Sequence, residues 1–258
     1  MAELEQHLRD ARARGRKLLV TYVTGGMDAD WVDVVRAIAD AGADAIEIGI
    51  PFSDPVMDGP VIQEASERAL DRGATPQSIL DELRAADAGV PLAVMTYYNI
   101  AFHMGHERFA SSLTEAGVDA AILPDLPLEE AGPWCAAADD AGVETVLLAA
   151  PTAPDERLPR ICERSRGFVY GVGLLGVTGE RDAVAESARV IAKRLKAVTD
   201  KPVLVGVGVS NAQQAVSLCE QADGVIVGSA LVRRLLDGAG PSGAAAFVTE
   251  LRQGLDRG

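Results

Sequence analysis

In the stretch AIEIGIPFSDPVMDGP, residues 45–60, one carboxylate, Glu47, stands inside an apolar run, and a second, Asp58, follows eleven positions later in a turn. A carboxyl group enclosed by apolar neighbours resists ionisation and holds the proton a general acid must give. The spacing therefore suits proton transfers on one substrate. A structural Glu would need a buried cation or nearby amides to hold it, and none of the eight apolar strand candidates contains Lys or Arg. By itself MDGP is an ordinary turn sequence whose Asp caps the turn. Asp58 gains weight because its loop begins where the strand of Glu47 ends.

Three glycine-rich stretches form a second constellation: GVGLLGVTGER (171–181), VGVGVSNAQQ (205–214) and VGSALVRRL (227–235). Glycine lets a ligand approach the backbone, and Ser229 followed by helix formers offers amide hydrogens at a helix N-terminus. Taken singly, each glycine reads as a turn or packing residue. Together, at the ends of three successive strands, they point to a phosphate cradle. The 24 basic against 38 acidic residues leave a formal charge of −14. That balance argues against nucleic acid or an anionic membrane as partner, but not against a small anion held by peptide dipoles.

The elements that must position these groups are legible as a repeated phrase. AGADAIEIGI from Ala41, AGVDAAILPD from Ala116, AGVETVLLAA from Ala141 and the looser QADGVIVGSA from Gln221 each lead into a short apolar strand, in the first three through a glycine suited to end a helix. Strand candidates are 18–23, 45–50, 92–98, 120–124, 145–150, 167–172, 203–208 and 224–229. Helical stretches lie between them: Trp31, Val34, Val35 and Ile38 repeat at helical spacing, and Thr75-Pro76 reads as a cap and first turn. Eight apolar strands alternating with helices in a chain of 258 residues predict a (β/α)8 TIM barrel, one domain over residues 1–258, with an extra N-terminal helix in MAELEQHLRDARARGRK. A doubly wound sheet would place a Gly-x-Gly-x-x-Gly loop after the first strand, and VTGGMDAD lacks it. In the barrel, alternation puts Ile46 and Ile48 against the outer helices and Glu47 toward the axis.

Other chemistries find little support. A Schiff-base aldolase needs a lysine at the catalytic end, and Lys17, Lys193, Lys196 and Lys201 fall elsewhere. The only histidines are His7, His103 and His106, too few for a metal-dependent aldolase; the last two read as a solvated helix face. A scaffold that only activates a partner enzyme would not need both carboxylates. Cys135, Cys162 and Cys219 are scattered and odd in number, as in a reducing cytoplasm, and the charged N-terminus has no apolar signal-peptide core.

With these residues in place, the chain resembles the tryptophan synthase alpha-subunit family. EIGIPFSDPVMDGPVIQEA and GVTG carry the likeness most specifically, and YYN (97–99), PDLPLEE (124–130), VGVS (207–210) and GSA (228–230) follow in the same order. The resemblance implies cleavage of indole-3-glycerol phosphate to indole and glyceraldehyde 3-phosphate without metal or organic cofactor in this chain. It implies that Glu47 protonates the indole ring at C3 and helps deprotonate the side-chain hydroxyl, and that Asp58 accepts the indole N–H. Gly179, Gly208, Gly228 and Ser229 match the family's phosphate site, and Tyr22, Ile100, Tyr170, Thr178 and Ile226 match its indole pocket. The implied partner is a beta subunit carrying pyridoxal phosphate, in an α2β2 tetramer that channels indole, with loop 53–60 and its Pro55 near the interface. Stand-alone family members that release free indole for specialised metabolism are the alternative. The chain departs from many relatives at Tyr22, where they have Phe, and at Gly173-Leu174, where they have Ser-Arg in the loop that closes the site.

Overall fold

The computed structural model describes residues 3–173, 181–206 and 208–258, with backbone alone for 181–184. Among the described residues there are eight strands: β1 (Leu18–Thr24), β2 (Ala45–Gly49), β3 (Leu92–Met95), β4 (Ala120–Ile122), β5 (Glu144–Ala149), β6 (Val169–Val172), β7 (Val203–Gly206) and β8 (Gly224–Val227). Each pairs in parallel with the next, and β8 closes on β1. The expected (β/α)8 barrel is the fold found.

Helix α1 (Glu3–Ala13) precedes the barrel, and α2 (Trp31–Asp40) follows β1. The connection after β2 carries α3 (Pro60–Asp71) and α4 (Pro76–Leu83), and that after β3 carries α5 (Tyr98–Met104) and α6 (His106–Glu115). Then come α7 (Gly132–Ala141), α8 (Arg157–Arg164), α9 (Arg181–Lys196) and α10 (Ala212–Leu218), with α11 (Ser229–Leu236) and α12 (Gly240–Arg257) after β8. No helix among the described residues is long and apolar enough to cross a membrane. Local chemistry accounts for the element ends. Thr75 Oγ1 accepts from the Ser78 amide at 3.0 Å while Ser78 Oγ accepts from the Thr75 amide at 2.9 Å, a reciprocal cap with Pro76 at the first position. Gly42, Gly117 and Gly142, the glycines of the repeated phrase, have φ of +105°, +73° and +78°, a region closed to most side chains.

Two apolar layers follow from strand alternation. Leu19, Val23, Ile46, Ile48, Val94 and Val205 pack outward against the helices. Leu18, Val20, Ala45, Ala93, Ile122, Val146, Phe168, Leu204 and Ile226 fill the axis, and Leu4, Leu8 and Ala11 of α1 join them from below. Leu4 and Leu8 are fully buried, which contributes about 1.5–3 kcal/mol each. The N-terminal helix is thus the floor of the barrel.

The acid in each repeated phrase has a structural task. Asp44, Asp119 and Asp223 stand immediately before β2, β4 and β8, and each Oδ2 accepts from an amide near the start of the preceding strand: Leu19 at 2.8 Å, Leu92 at 2.9 Å and Val203 at 2.9 Å. Glu144, one methylene longer, turns beneath the floor instead and accepts from the Glu5 amide at 3.0 and 3.2 Å with its two oxygens. These carboxylates bind the N-terminal end of the barrel and leave the other end for chemistry.

Six of the eight strands end earlier than their apolar runs, while β1 runs one residue further and β6 ends where expected. The run 92–98 becomes strand only to Met95; Tyr97 precedes α5 and Tyr98 begins it. The His103/His106 pair is also broken up. Gly105, with φ of +87°, separates α5 from α6, and His106 packs half-buried against Tyr98 and Trp134 instead of lying on a solvated helix face. Its Nε2 lies 3.1 Å from the Tyr98 hydroxyl.

Candidate active site

Glu47 occupies the third position of β2, on the face it shares with Ala45 and Gly49. Ala45 belongs to the axial layer and Ile46 and Ile48 to the outer one, so the Glu47 side chain points to the barrel interior. It is 1% exposed, and its Oε1 is buried without a hydrogen-bond partner. Tyr22 on β1 and Ala93 on β3 stand beside it in register. Burial alone pushes its pKa from 4.5 up to about 8. At pH 7 roughly ten molecules in eleven then carry the proton.

Asp58 lies two residues before α3, half-buried at the same end of the barrel. Its Oδ2 accepts from the Tyr97 hydroxyl at 3.2 Å. Burial raises its pKa, and the Tyr97 hydrogen bond works in the opposite direction. One carboxyl is thus kept neutral by its surroundings while the other, wetter and hydrogen-bonded, is the better anion. Such a pair divides acid and electrostatic roles.

Two tyrosines frame the mouth. Tyr22 is 8% exposed, and its ring lies over Gly49: a methyl group there would fall 1.8 Å from the phenol oxygen. Tyr170 on β6 lies over Gly206 in the same way, at 2.5 Å. Burial drives both phenols well above their usual pKa, and the Glu47 carboxylate adds to the effect in each. Both are neutral donors with broad apolar faces. Ile226, buried on β8, belongs to the axial layer below them, while Ile100 packs half-buried on α5.

At the ends of β7 and β8 the backbone is open. Gly208 has φ of +70° and, among the described residues, nothing within 4 Å of where a side chain would start. Gly228 precedes α11, whose amides at Leu231 and Val232 turn back to its carbonyl at 2.9 and 3.0 Å. Ser229 is the first residue of that helix. The nearest described atoms to a Cβ on Gly228 would be Tyr22 Cβ, Cγ and Cδ1 at 3.5, 3.7 and 3.9 Å, ordinary contacts. The arrangement offers a helix N-terminus beside accessible backbone, suited to an anion. Thr178 and Gly179 lie outside the described residues, as does Leu174.

Tyr97 begins the YYN (97–99) that carries part of the family likeness, but no site role was assigned to it from the sequence, since the run around it reads as continuous strand. The lysines hold the far end: Lys17 donates to the Cys219 carbonyl at 2.8 Å and Lys196 to Asp223 at 2.7 Å. The three cysteines are free and buried. A cleft of about 670 Å³, lined by Glu3, His7, Arg84 and Asp119, opens beside the floor helix, away from both carboxylates.

Comparison with known proteins bears on this geometry. The family model for the tryptophan synthase alpha chain matches residues 8–254. The tryptophan synthase alpha chain of Thermobifida fusca is 45% identical over 265 residues, spanning 99% of this chain and 98% of the relative. Among solved structures, tryptophan synthase of Mycobacterium tuberculosis superposes with a TM-score of 0.89 at 40% identity, covering 98% of this chain and 97% of that one. Tryptophan synthase subunit alpha of Legionella pneumophila gives 0.90 at 31% identity, covering 100% and 99%.

Proposed function

The chain belongs to the tryptophan synthase alpha chain family and catalyses its lyase reaction, the retro-aldol cleavage of indole-3-glycerol phosphate to indole and glyceraldehyde 3-phosphate; we propose that Glu47 and Asp58 carry the proton movements of that reaction. Breaking the carbon–carbon bond needs an electron sink. Protonating the indole at C3 creates one, because the ring then carries positive charge toward its nitrogen. Glu47, buried and unpartnered on the inner face of β2, is the donor. Asp58 faces the ring N–H as an anion and stabilises the cationic ring. As the bond breaks, its electron pair returns to the ring and restores indole. The hydroxyl on the departing carbon loses its proton to Glu47 and becomes the aldehyde, so the enzyme ends as it began.

The buried carboxyl of Glu47, whose Oε1 has no hydrogen-bond partner among the described residues, carries this reading. We assign Tyr22, Ile100, Tyr170 and Ile226 to the pocket for the flat ring, and Gly208, Gly228 and Ser229 to the phosphate; Thr178 and Gly179, assigned to the same two tasks by the family resemblance, lie outside the described residues. The protonated ring is its own electron sink, so the chain needs no cofactor of its own. Pyridoxal phosphate belongs to a beta-subunit partner. The partner surface includes loop 53–60, where Val56 is 83% and Met57 55% exposed, and Phe102 on α5, 65% exposed. Their exposure is what an interface of this kind would cover. We place the chain in an α2β2 tetramer in the cytoplasm, as one domain. Glu47→Gln tests the reading: indole release from indole-3-glycerol phosphate should fall by at least about a thousandfold in a folded protein. Turnover within tenfold of the parent would remove Glu47 from the mechanism.

A further inference from the structure

Asp58 sits on a long loop, and a carboxylate that must meet one ring N–H needs a fixed orientation. The loop itself supplies little: Pro55, Val56, Met57 and Gly59 around it are half-buried or exposed. What fixes the carboxylate comes from another strand end. Tyr97, 6% exposed, sends its hydroxyl into the loop, where it receives the Met57 amide at 2.8 Å and reaches Asp58 Oδ2 at 3.2 Å. A phenol has one proton. With the Met57 N–H donating to the phenol oxygen, that proton goes to Asp58.

Tyr97 is itself held from an earlier part of the Asp58 loop and from one further loop. Phe52, just after β2, stacks on its ring at 5.0 Å between centroids and 27° between planes. The next residue, Tyr98, donates its amide to Asp125 Oδ1 at 2.8 Å, from the loop after β4. Burial pushes the Tyr97 phenol up to about 12, so it keeps its proton at any working pH. Connections after β2 and β4 thus hold, through its ring and the neighbouring backbone, the residue after β3 that carries this hydroxyl.

We propose that Tyr97 is a positioning residue for Asp58: its hydroxyl fastens one carboxylate oxygen, Oδ2, and leaves the other, Oδ1, as the acceptor for the substrate N–H. The proposal rests on the alpha reaction assigned above and adds the group that orients its anion. The hydrogen bond also favours the ionised form of Asp58, the form that stabilises the cationic ring.

The test is indole release from indole-3-glycerol phosphate by the full chain between pH 5 and 9. Tyr97→Phe, which keeps the ring and its stack on Phe52, should lower kcat about 10–100-fold with KM changed less than about threefold. It should also move the acidic limb of the kcat profile to higher pH, because Asp58 loses the donor that favours its anion. In the Asp58→Asn background, the same change should cost less than about twofold, since a residue acting through Asp58 has nothing left to act on. An unmoved acidic limb, or full additivity in the double variant, would overturn the positioning role while leaving the alpha reaction standing. Asp58→Asn turning over like the parent would overturn the role of Asp58 itself, and with it this proposal.

Discussion

Replacing Glu47 by Gln should cost the reaction and yet make the protein more stable in alkali. The side chain is 1% exposed, has an unpartnered oxygen, and titrates near 8 instead of 4.5 because of burial. Below pH 4.5 the folded and unfolded chains both hold the proton, and the group adds no pH dependence. As pH rises, the unfolded chain ionises first and gains free energy that the folded chain cannot match until its own proton leaves near 8. Linkage puts the resulting loss of stability at about 1 kcal/mol at pH 5, about 3 at pH 7 and about 5 at pH 9. Glutamine has the shape of the neutral acid and no proton to lose, so the difference between variant and parent should grow by about 4 kcal/mol from pH 5 to 9. Water entering the barrel mouth lowers that figure, and half of it is still well resolved by urea unfolding. A difference that stays flat across this range would refute the buried, proton-holding state of Glu47.

Further outcomes follow from the anion cradle and the exposed apolar face. Gly228→Val should raise KM for indole-3-glycerol phosphate at least about tenfold with the melting temperature little changed, because the nearest described neighbours of the added Cβ are Tyr22 atoms at ordinary contact distances of 3.5 to 3.9 Å; unchanged KM would remove Gly228 from the phosphate site. Joint replacement Val56→Ser and Phe102→Ser, at side chains 83% and 65% exposed, should weaken binding of a beta subunit by about tenfold or more in calorimetry. Indole release by the chain alone should stay within about twofold, and unaltered binding would place the interface elsewhere.

Much of this was legible in the chain before its coordinates. Eight apolar runs separated by helical material led to the barrel, since a sheet buried on both faces leaves that signature. Period-two alternation alone was enough to aim Glu47 at the axis. The strand ends at the mouth were not legible, because a strand stops where its neighbour's ladder stops, and LAVMTYY is apolar past that point. The consequence was functional. Reading Tyr97 as strand hid a hydroxyl that contacts Asp58 across 39 positions of sequence. His106 was misplaced for a related reason, since Gly105 breaks what looks like one helical face. The acids of the repeated phrase carried a visible signal, the same offset before β2, β4 and β8, yet their task of binding neighbouring strand starts emerges only when the barrel closes.

The most direct measurement is the protonation of Glu47 itself. Infrared difference spectra against Glu47→Gln isolate its carboxylic acid band, which can be followed from pH 4 to 10. The account predicts that the band persists at neutrality and disappears with a midpoint near 8. Disappearance near 4.5, as for a glutamate in water, would leave the reaction without its proton donor.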